Sequence, residues 1–301
     1  VPELPEVEVV RAGLAPALTG ARILAVAVHD ERALTRHAAG AADFVARLEG
    51  SEVVTVARRG KFLWMPLATA GPESSSAIVG HLGMSGQLLL RRPDAPAERH
   101  ERIRLFAEHP QHGELAVVFA DQRTFGSLAV DALVPTSDGH AAGWGSEAPL
   151  LPSQVSHIAR DPMDEAFQDS VFRRALRTRS SAIKRVLLDQ NLISGVGNIY
   201  ADESLWAARI HPETPASALS TVAANRLLAE VRAVLEKALA EGGTSFDAQY
   251  VNVNGEAGYF AHSLEAYGRE GIPCSRCGTP IKRVSFMNRS SHFCPRCQRR
   301  R

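Results

Sequence analysis

Apolar and polar positions change their rhythm along the chain, and the changes divide it. Behind an opening rich in proline and glutamate, Val7, Val10, Leu14 and Leu18 recur at steps of three and four, the spacing of one helix face. Proline suits the first turn of that helix because it lacks an N–H that would go unsatisfied there, and glutamate complements the positive end of the dipole. Strand-like runs follow: RILAVAV, EVVTVARRGKFLWMPL, AIVGHLGMSGQLLL, RIRLFAE and ELAVVFADQRTFGSLAV, broken by ATAGPESSS and RRPDAP. They predict a β-sandwich, with the opening helix and a short AADFVARL helix packed on it.

The Gly-, Pro- and Ser-rich stretch PTSDGHAAGWGSEAPLLPS predicts a boundary. Beyond it the period becomes helical in DEAFQDSVFRRALRT, SAIKRVLLDQ, IYADESLWAA and ALSTVAANRLLAEVRAVLEKALAEG, before glycine-rich, short-strand texture returns. The expected layout is α+β and multi-domain. Residues 2–134 form the β-sandwich, 135–153 a linker, 154–245 a helical domain, 246–266 a polar loop and connection, and 267–301 a finger.

A length of 301 residues suits about two domains of roughly 150 residues, and 45% hydrophobic residues are enough for real cores. No run approaches the ~18 apolar residues of a membrane span, and the acidic start lacks the features of a signal peptide. A soluble, cytoplasmic protein with no membrane partner is expected. The net charge of +1 hides two basic clusters. Six Lys or Arg and no acid lie between Ser170 and Arg185, and nine stand against Glu270 alone between Arg269 and Arg301. Either could be a solvated face, but together they suggest a directed anion-binding surface.

All four cysteines fall in the last 28 residues, as Cys274-x-x-Cys277 and Cys294-x-x-Cys297 with sixteen residues between the pairs. That spacing offers four thiolates to one tetrahedral zinc, leaving no open position for water, so the ion is expected to be structural. Free thiols or disulfides are the alternatives, and disulfides do not suit a chain without an export signal.

PELPEVE at the start, HLGMSG at 81–86, DQRTFG at 121–126, GVGNIYADESL at 195–205, GEAGYFAHSLEAYGREG at 255–271 and the four-cysteine finger occur in one order. Together they resemble the formamidopyrimidine-DNA glycosylases, bacterial 8-oxoguanine repair enzymes, over almost the whole chain. The resemblance implies an N-terminal β-sandwich, a helix-two-turn-helix domain and a C-terminal zinc finger. It also implies a bifunctional glycosylase and AP lyase acting as a monomer, with one zinc ion. The implied partner is double-stranded DNA containing oxidised purines or abasic sites, so the protein would be nucleoid-associated.

The resemblance assigns roles residue by residue. Pro2 is the nucleophile, Glu3 handles protons at the sugar ring oxygen, and Glu6 supports the amine. Lys61 contacts phosphate and assists β-elimination, while Arg289 grips phosphate and assists δ-elimination. Met84, Arg123 and Phe125 match the residues that fill the gap left by a flipped base, although Met and Phe are ordinarily core. In SGVGN, glycines permit close backbone approach, so that Asn198 holds a phosphate or simply caps a helix. Arg179 and His100 match DNA contacts and Lys184 a lysine near the site. His81 stays open between strand core and phosphate ligand.

The chemistry suits a secondary amine, whose iminium keeps a positive charge beside the sugar. Pro2 must then carry a free amine, so Val1 is expected to be absent from the mature protein, the record of a non-ATG start read literally. TSFDAQYVNVNGEAGYF resembles the family's lesion-capping loop, which implies oxidised purines. DQRTFG departs from the commoner Asp-Pro-Arg-Arg-Phe-Gly, and the missing proline predicts a softer loop. Three rivals stand beside this: an endonuclease VIII-like enzyme for oxidised pyrimidines, a non-catalytic zinc-finger protein that binds damaged DNA if Val1 blocks Pro2, and a metal-dependent nuclease. The last is disfavoured because no His/Asp/Glu cluster with ligand spacing lies outside the finger.

Overall fold

The computed structural model describes residues 2–68, 75–244, 253–254 and 258–300. Val1 and most of the expected lesion-capping loop lie outside the described residues. The chain divides into two compact units, Val1–His157 with Thr244–Gly258, and Ile158–Gly243 with Tyr259–Arg301.

The first unit opens with α1 (Leu4–Leu18), whose Val7, Val10, Leu14 and Leu18 are all buried, as their spacing predicts. Then come β1 (Arg22–Val28), α2 (Gly40–Leu48), β2 (Glu52–Val53), β3 (Ala57–Arg59), β4 (Phe62–Ala68) and β5 (Ser76–His81). After these follow β6 (Gly86–Arg91), β7 (Glu101–His109), β8 (Gly113–Asp121), β9 (Ser127–Pro135) and β10 (Leu150–Pro152). The antiparallel order is β10-β9-β5-β4-β2-β1-β7-β8-β6, with β3 paired to β4. Leu63, Met65, Ile78, Leu128 and Val130 from the β4–β5–β9 half share one core with Ile23, Ile103, Leu105, Val117 and Phe119 from the β1–β7–β8 half. Phe44 and Leu48 of α2 and the buried face of α1 close it. Each such side chain contributes about 1.5–3 kcal/mol on burial, so this unit has a self-sufficient apolar interior.

Two expectations change here. The run EVVTVARRGKFLWMPL forms three strands, because the chain reverses at Gly60, whose φ is +57°, and Arg59 pairs with Phe62. The stretch expected as a linker joins the sheet at both ends, through Pro135 and Leu150–Pro152. Leu150 pairs with Pro135, Trp144 and Arg58 exchange backbone hydrogen bonds, and Arg59 Nε donates to the Ala142 carbonyl at 2.7 Å. A Cβ at Gly143 would lie 2.2 Å from the Arg58 carbonyl oxygen, so glycine is what lets the two backbones meet.

The second unit contains α3 (Asp169–Arg177), α4 (Ile183–Leu187), α5 (Asn198–Ala207) and α6 (Thr221–Ala240), then a hairpin of β11 (Lys282–Phe286) and β12 (Arg289–Phe293). Ser220 caps α6 by accepting from the Ala223 N–H at 3.2 Å. The segment after α4 is a turn closed by Gln190, whose side chain accepts from the Gly195 N–H and donates to the Val196 carbonyl. Among the described residues, no helix is long and apolar enough to cross a membrane.

Candidate active site and nucleic-acid interface

The first turn of α1 is closed by a reciprocal cap. Glu3 donates its N–H to Glu6 Oε2 at 2.8 Å, and the Glu3 side chain accepts from the Glu6 backbone. Glu6 Oε1 accepts from both the N–H and the hydroxyl of Thr244, at 2.8 and 2.9 Å. Pro2, Glu3 and Glu6 are all buried. One turn further, Glu8 receives Arg58 Nε at 2.8 Å and Arg11 at 2.7–3.0 Å, with Arg58 only 1% exposed. Arg58 also donates to the Gly60 carbonyl, so the start of α1 is tied to the turn that carries Lys61.

The strand register gathers the next group. Phe62 pairs with His81 and His81 with Ser127, so the start of β4, the end of β5 and the start of β9 lie side by side. Lys61 precedes Phe62, Met84 follows His81, and Arg123 and Phe125 precede Ser127. His81 Nδ1 accepts the Gly83 N–H at 3.1 Å, and the ring packs at a tilt against Phe62 with centroids 4.7 Å apart. Burial, reinforced by the charges of Arg36 and Lys61, pushes the His81 pKa down to about 4. At neutral pH the ring is therefore uncharged, with its proton on Nε2, able to donate a hydrogen bond but not to act as a cation.

Met84 and Phe125 are 39% and 64% exposed, which removes the core alternative for both. Arg123 Nη1 lies 3.8 Å from Met84 Sδ. Asp121, which sequence reasoning passed over inside its own motif, organises this corner. Its carboxylate accepts from the Gly126 N–H at 2.7 Å, the Arg123 N–H at 3.1 Å and the Ser85 hydroxyl at 2.6 Å. The loop expected to be softer without its proline is thus closed by a side chain. His100, at φ +64°, joins the same corner through its carbonyl, which accepts the Asp121 N–H at 3.0 Å.

In the second unit the four free cysteines converge, their sulfurs all within 4.8 Å of one another. That donor set and spacing fit one tetrahedral zinc ion, held by Cys274, Cys277, Cys294 and Cys297. Trp206 Nε1 donates to Cys274 Sγ at 3.4 Å, and the Arg276 guanidinium stacks 3.7 Å over the Trp206 ring. Arg289 begins β12 and lines a concavity of about 560 Å³ together with Arg179, Arg185 and Asp189. Within it Arg179 pairs with Asp189 at 2.6 Å. Asn198 begins α5 directly behind Gly197, and its Oδ1 is buried with no hydrogen-bond partner among the described residues.

Lys184, expected as a lysine near the site, is fully buried. It pairs with Asp202 at 2.7 Å and donates to the Ser290 carbonyl and Ser291 hydroxyl at 2.8 Å each, which fastens the hairpin beside Arg289. Asp202 also accepts the His292 N–H at 2.9 Å. The next residue, Glu203, accepts three N–H groups, from Glu265, Ala266 and Tyr267, at 2.7–2.9 Å. Burial pushes its carboxyl above the ordinary range, against those donors. Asp202 and Glu203 were legible only as members of GVGNIYADESL, with nothing in their spacing to mark them.

The family profile described as formamidopyrimidine-DNA glycosylase N-terminal domain matches residues 1–128. The formamidopyrimidine-DNA glycosylase H2TH domain matches 158–249, and the zinc finger found in FPG and IleRS matches 271–300. A formamidopyrimidine-DNA glycosylase from Leifsonia xyli is 66% identical over 99% of this chain and 100% of its own length. One from Thermobifida fusca is 55% identical over 100% of this chain and 98% of its own. Among solved structures, Lactococcus lactis Fpg bound to DNA containing an abasic site is similar at a TM-score of 0.80 and 30% identity, over 99% of this chain and 100% of that one. Complexes of the same protein with DNA containing Fapy-dG and with DNA containing an oxidised pyrimidine give the same TM-score, identity and coverage.

Proposed function

The chain belongs to the formamidopyrimidine-DNA glycosylase family, and from that premise we propose that it excises oxidised purines from double-stranded DNA and then cuts the strand at the abasic site. The observation that carries this proposal is the buried turn of Pro2, Glu3 and Glu6, with Glu6 anchored through both oxygens. In a chain that begins at Pro2, that residue presents a secondary amine. Its nitrogen bonds to C1′ of the damaged nucleotide as the glycosidic bond breaks, and the base leaves with the bonding electrons and a proton. Glu3 then protonates the ring oxygen as the sugar opens to the iminium.

The iminium draws electrons from the neighbouring C–H. Loss of that proton expels the 3′ phosphate, a second elimination expels the 5′ phosphate, and water releases the amine. Lys61 and Arg289 meet the departing phosphates, while Asn198, Arg179 and His100 hold others in register. Flipping the base costs a few kcal/mol in stacking and pairing, which Met84 and Phe125 offset by entering the gap while Arg123 bonds the estranged base. Zinc contributes folding energy to the finger when bound.

Borohydride trapping on a duplex containing 8-oxoguanine tests this. The expected result is a covalent adduct that maps to Pro2. An amide nitrogen cannot attack, because its lone pair is held in resonance. Full cleavage by a protein with a residue retained ahead of Pro2 would exclude Pro2 as the nucleophile.

Oxidised pyrimidines are a second candidate substrate class, favoured by the Lactococcus lactis complex with such DNA. Single-turnover rates on matched duplexes rank the two classes, and oxidised purines are expected to react faster.

A further inference from the structure

The two loops that carry Met84, Arg123 and Phe125 belong to different strand connections, β5–β6 and β8–β9. Neither loop's sequence taken alone shows what holds one to the other. Two features do. Gly83, at φ +60°, is packed so closely that a Cβ there would lie 2.4 Å from the Gly126 nitrogen and from the Phe125 carbonyl carbon. Asp121, 1% exposed, then links both loops, with Oδ1 receiving the Ser85 hydroxyl from one and the Arg123 N–H from the other, and Oδ2 receiving the Gly126 N–H. Its own backbone is clamped as well, by the His100 carbonyl and by Arg102 Nε at 2.9 Å.

We propose that Asp121 is the positioning residue that makes Met84, Arg123 and Phe125 one insertion unit, so that base eversion and reading of the opposite base depend on its carboxylate. This rests on the gap-filling roles proposed above. A carboxylate is required because two of its three partners are backbone N–H groups lying on different oxygens. Asn offers one acceptor oxygen and one NH2, so Asp121→Asn sets a donor against either Arg123 N–H or Gly126 N–H. The Ser85 hydroxyl can rotate to adapt, whereas the backbone donors cannot.

The test compares Asp121→Asn, Ser85→Ala and Arg123→Ala in the full-length, zinc-loaded protein, on duplexes carrying 8-oxoguanine or an abasic site. A buried donor left unpaired corresponds to about tenfold or more, so Asp121→Asn should slow single-turnover excision of 8-oxoguanine by about that factor. Strand cleavage at the abasic site, where no base must be everted, should change by less than about threefold by the same scale. Asp121→Asn should also narrow discrimination between cytosine and adenine opposite the lesion, with no further narrowing when Arg123→Ala is added, because coupled residues are non-additive. Ser85→Ala, which keeps the carboxylate, should show the same split between substrates at smaller size and covers the case in which Asp121→Asn does not fold. An equal loss on both substrates in the folded variant would mark Asp121 as merely structural and overturn the proposal. If Arg123→Ala alters discrimination and Asp121→Asn does not, only this inference falls. If Arg123→Ala leaves discrimination unchanged, the gap-filling role falls first.

Discussion

The corner that presents Met84 and Arg123 and the hairpin that presents Arg289 are stiffened by different means. The corner stands on a large apolar core shared by both halves of the sheet, and one carboxylate finishes it. The hairpin itself buries Phe286 and Phe293, and beside it Cys274, Ile281 and Cys294 form a cluster much smaller than the core of the sheet. Four thiolates and the Lys184–Asp202 pair supplement that small apolar interior. Small segments that cannot bury enough surface need such staples, and this finger is one of them.

The strongest way to break the contrast is to remove the metal. Chelation should unfold the finger and abolish DNA binding while the β unit keeps its own thermal transition, because zinc binding supplies the finger's folding energy. A Cys294→Ala protein that binds lesion DNA normally would erase the difference between the regions.

Lys184→Met comes next. It leaves Asp202 buried without its cation, a loss of about 3–5 kcal/mol by the usual cost of breaking a buried pair. Urea denaturation followed through Trp206, which touches Cys274, should report it, and adding Asp202→Asn, which removes the charge and still accepts the His292 N–H, should restore part of the stability. The salt dependence of DNA binding by the folded variant should be unchanged, whereas a phosphate contact would lower the slope by about 1.

Arg123→Ala and Lys61→Ala sharpen the contrast within the β unit. The first should cost about 1–3 kcal/mol of opposite-base discrimination, the worth of a good base-edge contact, with modest change in general affinity. The second should weaken binding to every sequence and flatten the salt dependence. Equal loss of discrimination in both would refute the division of labour.

The smallest effect is that of His81. Its folded pKa of about 4 lies below the ordinary imidazole value of 6.5, so the unfolded chain binds the extra proton between those values. The stability contributed by the neutral ring is complete above pH 6.5 and is lost as the pH falls towards 4. His81→Asn should flatten that part of the urea-midpoint profile.

Much of the fold was open to inspection in the chain, because periodicity reports burial directly. The face of α1 and the strand-like character of the first half came from spacing alone. Places where a long apolar run turns back did not, since Gly60 and Lys61 interrupt the pattern only briefly. The pairing within the expected linker was not legible, because its glycines signal a turn equally well whether they serve flexibility or, as at Gly143, close approach to Arg58.

The sequence by itself determined the order of elements, the four-cysteine zinc site and the motif set, because each is written in local spacing or residue type. Only the tertiary structure decided that Lys184 is a buried strut, that Asp121 joins two loops and that Glu6 reaches Thr244. The physical reason is separation along the chain. The partners lie 106, 36 and 238 residues apart, and a hydrogen bond closed by folding leaves no periodic trace in the sequence that makes it.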